Sequence, residues 1–185
     1  MQHEIVRNID RNFILQQGLQ LPDASAHPAL ISALMFQPRV VALWFLTGWS
    51  LQSGYVILAL AAALWWGALV PARNLFDFVY DRLPAGRYPC ARLGTAPAPR
   101  RFAQGMSGTL AAVVGISVLG GATRAAVAVA MVFCLAVALL VVGRFCLGSF
   151  VCHLMRGRFA FAFRTLPWGS ASGAAVGCLV SGSRP

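Results

Sequence analysis

The sequence predicts an all-α membrane protein with four transmembrane helices arranged as two hairpins, flanked by short interfacial helices. Three observations predict it. Charged residues make up only 11% of the 185-residue chain and hydrophobic ones 58%, where a soluble domain carries about 25% charged residues. Two uncharged runs, Phe102–Ala122 and Ala125–Gly143, are parted only by Thr123 and Arg124. A further run, Val40–Val70, extends over thirty-one residues without a charge. About 20 apolar residues in a helix cross the hydrocarbon core of a bilayer. Backbone in lipid must satisfy its own hydrogen bonds, so these runs are expected to be helical.

The elements follow in order. Residues 1–37 read as an N-terminal cytoplasmic or interfacial segment. Within it, Ile5, Ile9 and Phe13, with Val6 adjoining, make a helical stripe, expected to lie on the membrane surface or on a neighbouring protein. Its charges are scattered through it and it lacks the apolar core of a secretory signal. Pro22 and Pro28 then break the chain. The run Val40–Val70 would be about 46 Å long as one helix, too long for an ordinary span. Gln52, Ser53 and Gly54 are its turn-forming cluster, which predicts helices over about 38–51 and 55–71. Pro38 suits a first helical turn, and a start nearer Ala29 with a kink at Pro38 is the alternative. Trp65 and Trp66 suit a membrane interface.

Residues 71–101 form the long connection. In NLFDFVYDRL, Leu75, Phe78, Val79 and Leu83 share one helical face, with Asp77 and Asp81 on another, so a short interfacial helix is expected. The remainder is punctuated by Pro and Gly and reads as extended. Helices over about 102–122 and 125–143 complete the four-helix domain, 38–158. Gly143 and Arg144 are expected to turn the chain so that 144–156 runs along the interface, with Arg144 snorkelling to headgroups. The tail, 159–185, has no convincing span and reads as a loop or a strap on a partner.

Charge orients the bundle. All fifteen basic residues are Arg, against five acidic, for a net charge of +10. Six of the arginines lie in 71–101, whereas the turns at 52–54 and 123–124 hold none and one. Excess Arg marks cytoplasmic loops, which places this loop and both termini in the cytoplasm of a bacterial inner membrane. The same arginines do not interleave with aromatics on a soluble domain, so nucleic acid is not an expected partner; membrane lipids and other membrane subunits are.

Candidate chemistry is sparse. Cys90, Cys134, Cys146, Cys152 and Cys178 are odd in number and widely spaced, which is no disulfide framework. Cys146 and Cys152, six apart on a helix, would sit about 9 Å apart along the axis, beyond disulfide reach. His153 could serve as an axial ligand to haem or a chlorin, but no second ligand accompanies it, and a hydrogen-bonded interfacial role is the plainer reading. The spans carry no carboxylate, where ion-coupled transporters usually do. No phosphate loop, Ser-His-Asp set or metal cluster is visible, and no cofactor is expected. Gly105, Gly108, Ala111, Ala112 and Gly115 form a small-residue ladder that lets another backbone approach, either within the bundle or on a foreign helix.

Three stretches carry a resemblance: VPARNLFDFVYDRL, APAPRRFAQG and GRFCLGSFVCHLMRG. Over roughly 36–158 the chain resembles a bacterial integral-membrane family catalogued as a domain of unknown function, with RFAQG and FCLG motifs. The resemblance implies a four-helix membrane protein and draws attention to Arg101, Phe102, Gln104, Cys146, Gly148 and His153. Some members carry FCLGC, a Cys-x-x-Cys, and similar genes sit near thioredoxin- or rhodanese-like proteins. Here Ser149 stands at the second cysteine position, so a redox pair cannot close. The expectation is therefore a non-catalytic accessory or scaffolding subunit of a larger membrane complex, photosynthetic and respiratory complexes being candidates. A thiol-redox partner of a thioredoxin-like protein and a small-solute carrier are the alternatives.

Overall fold

The computed structural model describes residues 2–21, 27–83 and 95–168, with side chains described for 8–21, 28–83 and 95–168. Its described residues form eight α-helices and no strand: α1 (Gln2–Gln16), α2 (His27–Ser50), α3 (Gly54–Leu69), α4 (Leu75–Arg82), α5 (Ala98–Leu119), α6 (Thr123–Val141), α7 (Leu147–Met155) and α8 (Phe159–Arg164). Three segments are long and apolar enough to cross a membrane, Pro28–Ser50, Ala98–Leu119 and Thr123–Val141. The apolar α3 has sixteen residues. The chain is thus an all-helical protein of membrane type.

The α2–α3 turn forms where the polar cluster predicts it. Gln52 takes a positive φ of 48°, and the Ser53 amide donates back to the Gly48 carbonyl at 2.9 Å, a Schellman closure that satisfies an orphan carbonyl. Ser53 then caps α3 by accepting from the Val56 amide. The first span differs from the expected 38–51. It begins at His27 and carries Pro38 in its interior, so the expected boundary at 37/38 falls inside a helix. Proline there cannot donate to the carbonyl four residues back. Leu30, Ile31, Leu34 and Met35 are nevertheless buried against α1, and packing holds the helix through the break. The other helices begin or end within a few residues of their expected bounds.

α3 and α5 run antiparallel and lie closest of all the helices. Phe45 of α2, Ile57, Leu60 and Leu64 of α3, Ala111 and Val114 of α5, and Phe133 of α6 form the main core. The Phe45 and Phe133 rings stack at 4.2 Å. α2 and α5 begin, and α3 and α6 finish, at one end of the bundle. α1, α4, α7 and α8 gather there, together with the arginines of α4, α5 and α8 and Arg156 after α7; Arg124 sits at the other end, where α5 turns into α6.

Of the short helices, one forms as expected and one departs from expectation. α4 forms in NLFDFVYDRL, with Asn74 as its cap, accepting from the Phe76 amide. Phe76 and Tyr80 are buried while Leu75, Phe78 and Val79 are exposed. The physical reason is Asp77, which faces inward because Arg100 awaits it there. α1 is not a free surface helix: Asn12, Phe13, Ile14, Gln16 and Gln17 are all buried. Ile5 and Val6 of its expected stripe lie outside the residues whose side chains are described, as do Cys90 and Cys178. The expected tail contains α8, and residues 169–185 lie outside the described chain.

Candidate functional site

The stretches RFAQG and FCLG, distant in sequence, meet at the end where α1, α4, α7 and α8 gather. RFAQG lies in the first turns of α5. FCLG opens α7 after α6 stops. Arg144 takes a positive φ of 49°, and the Phe145 amide donates back to the Leu139 carbonyl, so the chain reverses and lays α7 on α5. Gly148 makes that contact: a Cβ there would stand 2.7 Å from both Cα and Cβ of Ala103, closer than side-chain carbons tolerate. The glycine of one motif is therefore the seat for the alanine of the other.

Beneath this contact is a buried polar network. Arg100 donates to Asp77 at 2.6 Å and to Gln37 Oε1 at 2.9 Å, and Gln104 donates to the same Gln37 oxygen at 2.9 Å. Gln37, Arg100 and Gln104 are each less than 9% exposed. A charge so far from water is tolerated because it is paired and hydrogen-bonded. Gly67 makes room: a Cβ there would press within 3.2 Å of both Asn74 and Gln104 carboxamide oxygens. Gln104 Oε1 is buried without a hydrogen-bond partner among the described residues. A cavity of about 70 Å³, lined by Gln37, Arg100, Gln104, Ser107, Cys146 and Gly148 among others, lies beside it. Its lining is otherwise mostly apolar, with Phe13, Leu34, Val41, Leu64 and Leu140 among it, so the polar groups meet the cavity at one side.

The second network ties α1 to α7. Gln16 accepts from the Cys146 amide at 2.9 Å, and its own carbonyl lies 3.1 Å from His153 Nε2. The carbonyl can only accept, so this nitrogen carries the proton. Asp10 pairs with Arg144, so Arg144 does not snorkel to headgroups as expected. Asn12 donates to the Leu166 carbonyl. His153 is 2% exposed and packs its ring 4.7 Å from Phe161. Burial pushes its pKa below the ordinary value, the Gln16 carbonyl counters in part, and Arg158 and Arg156 add to the lowering. Its Nδ1 and the Ser149 hydroxyl are buried without partners among the described residues.

The sequence-singled residues thus divide. Gln104, Cys146, Gly148 and His153 are buried at the motif junction. Cys146 is sealed under α1, among Phe13, Ile14 and Leu34. Arg101 and Phe102 face the outside, Arg101 donating through Nε to the Ala68 carbonyl at 2.9 Å. The ladder packs on α3: Gly108 lies under Trp65, and Gly115 lies against Leu58 and the Gly54 backbone. Gly105 is looser, with Ala68 at 3.8 Å, and Ala112 is partly buried beside the core. Sequence reading missed Gln37, Arg100 and Asp77. The available signal was scarcity: with only five acidic residues, an aspartate between two apolar runs calls for a partner. Among the described residues no group of three or more His, Cys, Asp or Glu side chains is placed to hold a metal ion.

A family model matches residues 32–156, and its description is domain of unknown function (DUF4395). No curated protein and no solved structure matches the chain.

Proposed function

The chain belongs to the DUF4395 family, and on that premise we propose that it is a non-catalytic integral-membrane subunit that scaffolds a larger membrane protein complex. The observation that carries this reading is the unequal burial of its apolar helices. Half of the apolar window of α2 is buried within the chain, against 28% for α5 and 17% for α6. Along α6, Met131, Val132 and Leu135 stand more than half exposed. A helix apolar on all sides belongs in lipid or against another helix, and α6 offers most of its circumference to either. The motif residues support the same role, because Gln104, Cys146 and Gly148 are engaged in joining helices.

In this reading α3 is the fourth span. Sixteen residues reach about 24 Å, short of the hydrocarbon thickness, but Trp66 donates to the Arg73 carbonyl at its end, as an interfacial indole would, and local thinning accommodates the remainder. The arginine-rich end faces the cytoplasm of a bacterial inner membrane, with both termini on that side. Solubilisation of native membranes in a mild detergent tests the proposal. Migration of the chain with a larger complex, preserved in Cys146→Ser, is expected. A chain that runs alone, together with lost cellular function in Cys146→Ser, would favour the thiol-redox reading instead.

A further inference from the structure

On the outer side of the motif end, α3, α5 and α7 leave an open groove of about 850 Å³. Its floor is apolar, with Trp65, Leu69, Phe102, Met106 and Leu110 along it, and two arginines, Arg101 and Arg156, line it as well. Arg101 is held in place by its Nε bond to the Ala68 carbonyl, which leaves both terminal nitrogens without a partner among the described residues. Arg156, at the end of α7, is exposed. Among the described residues neither arginine meets a carboxylate, unlike Arg100 and Arg144.

We infer that this groove binds one anionic phospholipid, its phosphate between Arg101 and Arg156 and an acyl chain along the floor. Charge complementarity selects this occupant. A guanidinium fork matches phosphate oxygens in two-toothed fashion, and basic pockets between helices on the cytoplasmic side are where acidic headgroups bind. Length agrees: the lining runs along α5 from Ala98 to Leu110, about 18 Å of helix, in the direction an acyl chain takes from interface to bilayer interior. A zwitterionic headgroup would bring its own cation against the two arginines. An apolar partner helix would fill the floor but leave both charges without a counterion. The inference rests on the membrane reading above and not on the scaffolding role.

Native mass spectrometry of the full chain tests it, with delipidated protein given dioleoyl phosphatidylglycerol or dioleoyl phosphatidylcholine. The wild type is expected to retain one phosphatidylglycerol in clear preference to phosphatidylcholine. Arg156→Gln and Arg101→Gln should each weaken that retention about fivefold, and the double lysine variant, which keeps the charge but not the fork, should retain more than the double glutamine variant and less than the wild type. Arg124→Gln, at the far end of the bundle, should change nothing. Thr109→Trp, which puts bulk into the groove, should weaken retention with both arginines intact. Arg156 is exposed, so its variant keeps the fold, and an unchanged unfolding midpoint verifies this. Equal retention of the two lipids, undiminished preference in the double glutamine variant, or equal occupancy by inorganic phosphate would overturn the site. So would a copurified peptide in the groove that excludes phosphatidylglycerol.

Discussion

The two ends of the α3–α5 pair are held by opposite means. At the turn end, Gly54 and Gly115 bring two backbones into contact: a Cβ on Gly54 would stand 2.5 Å from the Gly115 carbonyl oxygen, and one on Gly115 would stand 3.0 Å from the Gly54 oxygen. Nothing polar is needed there but the backbone itself. At the motif end the polar side chains Gln37, Asn74, Arg100 and Gln104 gather beside the same helices, and α1 and α7 pack at that end. Membrane helices gain little from hydrophobicity when they associate, and rely on close packing and hydrogen bonds. In the α3–α5 pair, packing alone serves at the turn end, and polar pairing joins it at the motif end. The apolar seam tolerates no added volume, while the polar end tolerates no missing partner.

The largest expected effect is at the polar end. Asp77→Ala leaves the Arg100 guanidinium buried without its counter-charge, and removal of one partner of a buried pair typically costs about 3–5 kcal/mol. Thermal unfolding in detergent should show it, with Arg100→Ala similar. Replacing both by apolar residues of like volume should recover most of the loss. A single variant with wild-type stability would mean that the pair is solvated and the contrast between the ends is false.

Next comes the seam. Gly115→Leu and Gly108→Leu put side chains into Leu58 and Trp65, where overpacking costs about 1–3 kcal/mol. Gly105→Leu should be milder, since its nearest neighbour is 3.8 Å away. If all three behave alike, the ladder faces lipid and not α3.

A smaller effect is expected from pH. His153 is neutral in the fold with its pKa held below the ordinary 6.5. The stability it contributes is therefore complete above that value and is lost as pH falls through it toward the lowered one. Protonation would charge Nδ1, which has no acceptor among the described residues, beside Arg156 and Arg158. Limited proteolysis should find α1 more readily cleaved at pH 5.5 than at pH 7.5, and His153→Gln should flatten the difference. Equal cleavage at both would show that the His153–Gln16 contact does not hold α1.

The smallest is Cys146→Ser, about 1 kcal/mol or less. The thiol fills space under α1 beside a mostly apolar cavity, and serine is close to it in size. Maleimide should modify wild-type Cys146 slowly, and faster when α1 is loosened by Gln16→Leu; rapid modification of the intact protein would contradict its burial.

These contrasts explain which features could be read from the chain. The spans after Arg101 were legible because lipid demands uncharged runs, and the 52–54 turn because Gln52, Ser53 and Gly54 cluster turn-forming residues near the middle of Val40–Val70. The ladder was legible as a close-packing surface, and its partner, α3, was not, since spacing names a face but not what covers it. Pro38 misplaced the start of α2: local rules put proline in a first turn, and tertiary packing against Phe13 and Ile14 overrides them. The polar end was the least legible. Hydrophobic periodicity assigns apolar residues inward, whereas α1 buries Asn12, Gln16 and Gln17 and α4 turns Asp77 in. Inward polar faces follow from partners supplied by distant residues, Cys146, His153 and Arg100, which no local window contains.

The proposed scaffolding role requires a neighbouring subunit to meet an exposed apolar face, and α6, with the least buried of the apolar windows, gives the most direct test. A photoreactive residue placed at Leu135, 61% exposed on that helix, can be activated in native membranes, with a control at the fully buried Leu60. Adducts to a distinct polypeptide from position 135, and within the chain alone from position 60, are the result predicted. Adducts from position 135 to lipid alone would contradict the scaffolding role.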